Sequence, residues 1–228
     1  MKFSVITIFP DLITSYTDES IVGRAQEDGQ ISVEVYDPRN YTDDKHDSID
    51  GPPYGGGPGM VMEAKPILRA VEAAQENSQF TIQNSQVFLM SARGQQFDRE
   101  MAQDIKNDLK HAIIICGRYE GIDQRVVNAL DPELVSAGPY VLSGGELPAL
   151  VMVDAVSRNV DGVLGNEASL ESDREAAGAP VYTRPKEIEH GDETYDVPSV
   201  LLSGHHEKIR QWRIRNAKSK NQNSKNSQ

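Results

Sequence analysis

Three glycine-punctuated stretches carry residue types that could hold a small ligand: SARG (Ser91–Gly94), CGRYEG (Cys116–Gly121) and AGPYVLSGGELP (Ala137–Pro148). Glycines in such places let backbone N–H and C=O groups come close to a planar ring, and a purine would fit. Glu120, between two glycines, offers a carboxylate at the mouth of a buried strand. Arg118 has no clear ligand role and reads best as a salt-bridge former. A fourth stretch, PYGGGPGM (Pro53–Met60), has consecutive N–H groups of the kind that hold phosphate, a weak signal on its own. No G-x-G-x-x-G follows a strand and no G-x-x-x-x-G-K-[ST] is present, so the dinucleotide and triphosphate fingerprints are absent. Any one of these loops is explained better by a tight turn; the three together favour a ligand.

The elements that must position these loops alternate in type. Lys2–Phe9 reads as a strand, followed by helical stretches opening at Pro10 and at Ser20. Ile31–Tyr36 alternates apolar and polar residues as a half-buried strand does. Residues 37–59 have little apolar periodicity and read as a long functional loop. Lys65–Glu76 is helical, with Ile67, Leu68, Val71 and Ala74 on one face. Gln86–Met90 is a strand, Ser91–Gly94 a turn, and 98–109 a helix. Ala112–Cys116 is a strand, Ile122–Leu130 a helix, Glu133–Ala137 a short strand and Leu147–Arg158 an apolar helix. This alternation predicts an α/β unit with a mostly parallel sheet over 1–163. Ligands in such sheets bind beyond the carboxyl ends of the strands, where the three loops fall. Residues 164–181 read as a flexible linker. Residues 182–217 read as a small, mainly helical unit with its helix at His206–Ala217, and 218–228 as a disordered basic tail.

Composition narrows the class. The chain has 228 residues with 38% hydrophobic and 25% charged, enough for a sizeable core and for solubility. No apolar run approaches the ~20 residues of a membrane span, and the N-terminus reads as a first strand, not a signal peptide. The single cysteine, Cys116, excludes an intrachain disulfide, points to a cytoplasmic setting, and reads as an inert core residue. Net charge is -12, which argues against a nonspecific nucleic-acid coat. The charge is uneven, however. From His205 to Gln228 there are seven Lys/Arg and one Glu, leaving 16 basic and 34 acidic residues elsewhere. A basic tail on an acidic body allows a local contact with an anionic partner.

The order and wording of the motifs match a known family. PYGGGPGM, CGRYEGIDQRV, YVLSGGELPA and GVLGNEAS, supported by YTRP and VPSVLLSGHHEKIRQWR, resemble the bacterial tRNA (guanine37-N1)-methyltransferase family from Met1 to about Ala217. The resemblance implies an α/β fold of the SPOUT type: a mostly parallel sheet with helices on both faces and a C-terminal trefoil knot, plus a small helical C-terminal unit. It also implies a homodimer with each active site at the subunit interface, S-adenosylmethionine (SAM) as methyl donor, and a tRNA anticodon stem-loop gripped by the C-terminal unit. The family's activity depends on Mg²⁺, although no cluster with metal-ligand spacing is visible. The expected reaction is methylation of N1 of guanine 37 in tRNAs with G36-G37.

The resemblance assigns roles residue by residue. Asp173 is the general base that removes the N1 proton, and Arg158 stabilises the charge that develops toward O6. SAM is assigned to Met90, Ser91, Ala92, Gly117, Tyr119, Glu120, Ala137, Gly138, Pro139, Tyr140, Val141, Leu142, Gly144, Gly145 and Pro148. The target nucleotide is assigned to Glu120, Gly59 and Ser169. Lys208, Arg210, Arg213 and Arg215 could contact phosphates, and Trp212 is expected to pack in the core. The sequence also departs from the family. Gly138-Pro139-Tyr140 stands where relatives have Gly-Asp-Tyr, removing a backbone N–H from that loop. Arg174 and Glu175 follow the proposed base where relatives have Ser-Phe, so Arg174 could lower the acid's pKa. Relatives continue into a longer helical C-terminal region, whereas this sequence closes on KSKNQNSKNSQ. Two other readings remain open at this level: a knotted methyltransferase acting elsewhere on RNA, and a noncatalytic RNA-binding relative.

Overall fold

A computed structural model describes residues 1–78, 82–164 and 178–223. The chain divides into two compact units, Met1–Gly165 and Asn166–Gln228. In the first unit the elements are β1 (Lys2–Ile6), α1 (Pro10–Thr17), α2 (Ser20–Glu27), β2 (Ser32–Tyr36), β3 (Asp50–Gly51), β4 (Val61–Met62), α3 (Ala64–Glu76), β5 (Ser85–Gln96), α4 (Arg99–Asp108), β6 (His111–Cys116), α5 (Gln124–Leu130), β7 (Glu133–Ser136) and α6 (Glu146–Ser157). The second unit contains β8 (Glu187–His190), β9 (Glu193–Asp196), α7 (Ser199–Leu202) and α8 (His206–Asn223).

The central sheet runs in the order β2-β1-β6-β5-β7, and all its pairings are parallel. Strand alternation sorts its side chains into two cores. Phe3, Val5, Phe88, Met90, Ile114 and Cys116 meet α1, α2, α4 and α6 on one face. Ile6, Val87, Leu89, Ile113 and Ile115 meet α3 and α5 on the other. Helices therefore cover both faces, which is why β6 is buried along its whole length and reads as a continuous apolar run. Its one polar member, His111, is satisfied at Nε2 by the Ser4 hydroxyl at 2.8 Å.

Local chemistry sets the helix starts. Proline opens α1, where its missing N–H costs nothing. The Asp98 carboxylate caps α4 by accepting from Met101 N–H at 3.0 Å, and Asp123 does the same for α5 from Arg125 N–H at 2.9 Å.

The structure corrects the reading of SARG and adds detail to two other regions. SARG is not a turn that ends a strand. β5 continues to Gln96, and Met90 and Gln95 both pair with Val135, so the residues between them bulge out of the sheet edge. The long loop over 37–59 is anchored by a short 3₁₀ turn at Pro38–Tyr41 and by the antiparallel β3–β4 pair. The second unit has strands besides its helices. It contains the β8–β9 hairpin, and α8 runs on to Asn223, through the start of the tail expected to be disordered. Trp212 of α8 packs against Tyr182 with ring centroids 6.2 Å apart.

Candidate active site

β5, β6 and β7 are neighbours, so their carboxyl ends release three loops side by side. Together they wall a cleft of about 230 Å³. Met90, Ser91 and Ala92 contribute from the β5 bulge, and Gly117, Tyr119 and Glu120 from the loop after β6. Ala137, Tyr140, Val141, Leu142, Gly144, Gly145 and Pro148 contribute from the loop into α6. These residues lie up to 58 positions apart in the chain, between Met90 and Pro148; parallel pairing alone brings them together.

Two of the loops lock at their roots. Gly145 N–H donates to Gly117 O at 3.0 Å. A Cβ on Gly145 would lie 2.6 Å from Cys116 Cα, so only glycine permits this crossing. The loop after β6 is also held from outside by residues following PYGGGPG. Glu120 N–H donates to Met60 O at 3.0 Å, Met62 N–H to Gly121 O at 2.9 Å, and Asp123 N–H to Met62 O at 3.0 Å. These bonds hold Tyr119 in the left-handed region at φ 59, a conformation uncommon for a non-glycine residue. The Tyr119 ring and the Glu120 carboxylate are left exposed at the rim.

Other assigned residues fall at the margins. Gly59 does not line the cleft but abuts Glu120, whose Cγ would lie 2.5 Å from a Cβ placed there. Gly138 and Pro139 do not line the cleft but form a tight turn, closed by Tyr140 N–H donating to Gly138 O at 2.8 Å. A proline at the centre of a three-residue turn suits its fixed φ, and this turn makes no use of an N–H at 139. Arg158 caps the far end of α6, about 15 Å along the helix axis from Pro148. Asp173 and Ser169 lie outside the described residues.

Sequence reasoning missed Arg118, Gly121, Val135, Ser136 and Ser143 as lining residues, and the partner of Arg118. Glu146, almost fully buried at the first position of α6, accepts from Arg118 Nε at 2.9 Å through Oε2. Through Oε1 it accepts from the Thr7 hydroxyl at 2.8 Å. Its position benefits from the positive helix end. A carboxylate between GG and an apolar helix was the available signal, but nothing local names a partner 28 or 139 positions away. Burial raises the Cys116 thiol well above its ordinary pKa, with the nearby Glu146 adding to the effect, so Cys116 stays protonated and unreactive.

Among the described residues, no group of three or more His, Cys, Asp and Glu is placed to hold a metal ion, and no helix is long and apolar enough to cross a membrane. A second groove of about 530 Å³ beside α4 is walled by Asp98, Glu100, Asp104, Asp108 and Glu133, a surface that repels a polyanion.

Fold and cleft together define an α/β protein of the ligand-binding kind, with its site at the carboxyl edge of a parallel sheet. The pattern of the family described as tRNA (Guanine-1)-methyltransferase TrmD matches residues 1–227. Similar proteins include the tRNA (guanine-N(1)-)-methyltransferase of Shewanella sediminis, 43% identical over 94% of this chain and 86% of that protein. The tRNA (guanine-N(1)-)-methyltransferase of Limosilactobacillus fermentum is 44% identical over 94% of this chain and 84% of its own length. The chain belongs to the TrmD family.

Proposed function

We propose that this protein is a SAM-dependent tRNA methyltransferase that modifies N1 of guanine 37 in anticodon loops carrying G36-G37. The observation that carries the reading is the cleft. The three motif loops expected to hold the donor line one cavity, in a chain that matches the family over nearly its full length. The cleft suits the donor's parts. Backbone beside Ala137 and Leu142 fits an adenine, the side-chain-free wall at Gly144 and Gly145 fits a ribose or amino-acid tail, and Glu120 fits an ammonium. Bound there, the donor supplies an electrophilic methyl group.

The protein's own residues then handle the proton and the charge. Neutral guanine carries a proton on N1 and is a poor nucleophile until that proton leaves. Asp173 accepts the proton, and the N1 electron pair forms the new bond to carbon while the carbon–sulfur pair returns to sulfur. Negative charge spreads toward O6, where the Arg158 guanidinium donates hydrogen bonds. Glu120 and Gly59 sit together at the rim, where the target base would enter after leaving its stack.

The site is completed by a second copy of the chain. Phe9 just before α1, Leu12 and Tyr16 of α1, and Leu147 and Val151 of α6 are exposed large apolar side chains. On α6 they follow the spacing of one helix face, which Asp154 and Arg158 continue. The Tyr16 hydroxyl donates to Asp154 at this face. A homodimer that buries this stripe would carry Arg158, remote from its own cleft, toward its partner's. We further assign a trefoil knot to the crossing of the Gly117 and Gly145 loops, anticodon-stem binding to residues 182–217, the linker role to 164–181, and a cytoplasmic setting. The test is incubation with labelled SAM and unmodified tRNAs, followed by mass-spectrometric mapping. The expected product is 1-methylguanine at position 37, with at least a hundredfold loss in Asp173→Ala. Full activity in that variant would remove Asp173 from the mechanism.

A further inference from the structure

Arg118 lines the cleft, yet a cation in that wall is at odds with a donor whose reacting centre is itself a cation. We propose that Glu146 is a positioning residue that cancels the charge of Arg118 and fastens the two loops on either side of it, so that the cleft accepts a positively charged sulfonium. The proposal rests on the SAM reading above.

The geometry gives Glu146 both tasks. Arg118 Nε and Nη2 each reach Glu146 Oε2 at 2.9 Å. Nη1 donates to Ser143 O at 3.4 Å. The guanidinium also lies 4.5 Å from the Phe9 ring centroid, and a Cβ on Gly144 would fall 2.2 Å from its Nε. One side chain from the β6 loop is therefore pressed along the backbone of the α6 loop and held there by a buried carboxylate at the start of α6. The Glu146 side chain is only 2% exposed and that of Arg118 22% exposed, so solvent screens the pair weakly and the cancellation is local. Thr7 fixes the other carboxylate oxygen at 2.8 Å and in turn accepts from Phe9 N–H at 3.0 Å, which leaves the carboxylate little freedom to turn away.

S-adenosylhomocysteine, the demethylated product, has the same adenosine and amino-acid parts but no charge on sulfur. The ratio of donor to product affinity therefore reports the charge of the wall. A purely structural loss weakens both ligands alike and leaves the ratio unchanged. Calorimetric titration of the full chain with each ligand is the experiment. Glu146→Gln keeps the shape and an acceptor for Arg118 but leaves the guanidinium uncompensated. The ratio is expected to fall about tenfold, with product binding less affected, since two unit charges several ångströms apart in a partly buried site interact at this scale. Arg118→Met should shift the ratio the other way. Arg118→Met combined with Glu146→Met should bring it back, and removing both charges spares the fold the strain of one buried unpaired charge. Amide exchange over residues 138–145 should quicken in all three variants. If wild type binds both ligands and the ratio is the same in every variant that folds, the proposal is overturned while the SAM reading stands. If wild type binds neither ligand, both fall together.

Discussion

Gly145→Ala tests the loop crossing that closes the cleft. The backbone of Gly145 is compatible with alanine at φ -83 and ψ -6, so any cost comes from space. The new methyl would lie 2.6 Å from Cys116 Cα, 3.0 Å from Gly117 N and 3.1 Å from Cys116 Cβ. The first contact is roughly 1 Å short of the ~3.5 Å at which carbon atoms pack. Cys116 ends a wholly buried strand and cannot retreat, so the α6 loop must move outward. Overpacking of this kind costs about 1–3 kcal/mol. The same shift stretches the 3.0 Å Gly145–Gly117 hydrogen bond, worth about 0.5–1.5 kcal/mol. No helix-propensity gain offsets this, because glycine is preferred to alanine at an N-cap. The sum is about 2–4 kcal/mol, or roughly 5–15 °C in melting temperature for a unit of this size. Differential scanning calorimetry with and without SAM measures both the fall and the expected loss of ligand stabilisation. Gly51→Ala is the control, since its nearest foreign atom is Glu63 Oε1 at 3.7 Å. A fall of less than about 2 °C in Gly145→Ala, with SAM stabilisation intact, would refute the claim that this contact holds the wall.

Two further outcomes follow from other parts of the molecule. Val151→Glu puts a charge on the exposed apolar stripe of α1 and α6; sedimentation should show dimerisation at least tenfold weaker and methylation lost with it, whereas a fully active monomer would dismiss the shared site. Burial holds the His111 pKa down at about 4, with Lys2 lowering it further and Glu34 opposing. Between the ordinary value of 6.5 and about 4 the unfolded chain binds a proton that the folded chain refuses, so stability contributed at neutral pH is lost across that window as pH falls. Urea unfolding from pH 7 to 4 should be less steeply pH-dependent in His111→Asn than in wild type, and an imidazole NMR midpoint near 6.5 in the native protein would contradict the assignment.

Much of the first unit was legible because its periodicities are set by burial on known faces. β2 alternates because one side of an edge strand meets the core. β6 does not alternate because helices cover both its sides. Ile67, Val71 and Ala74 of α3 share a face and are buried, while Leu68, grouped with them by spacing, is only half-buried. β5 defeated the reading at SARG because its continuation past the bulge depends on β7, some 40 positions further on, for its hydrogen bonds. The β8–β9 hairpin, EIEH and ETYD, is exposed along its length, so it carries no hydrophobic alternation to find.

The amino-acid order alone settled which motifs this protein carries, and hence its family, because those motifs are contiguous in the chain. It also marked the glycines that let loops approach one another. It could not say that Gly145 crosses Cys116, or that the Thr7 hydroxyl and the Arg118 guanidinium converge on one buried carboxylate. Those facts depend on strand order in three dimensions. A buried charge chooses its partner by proximity across the fold, and proximity across the fold is not a property of any local stretch of sequence.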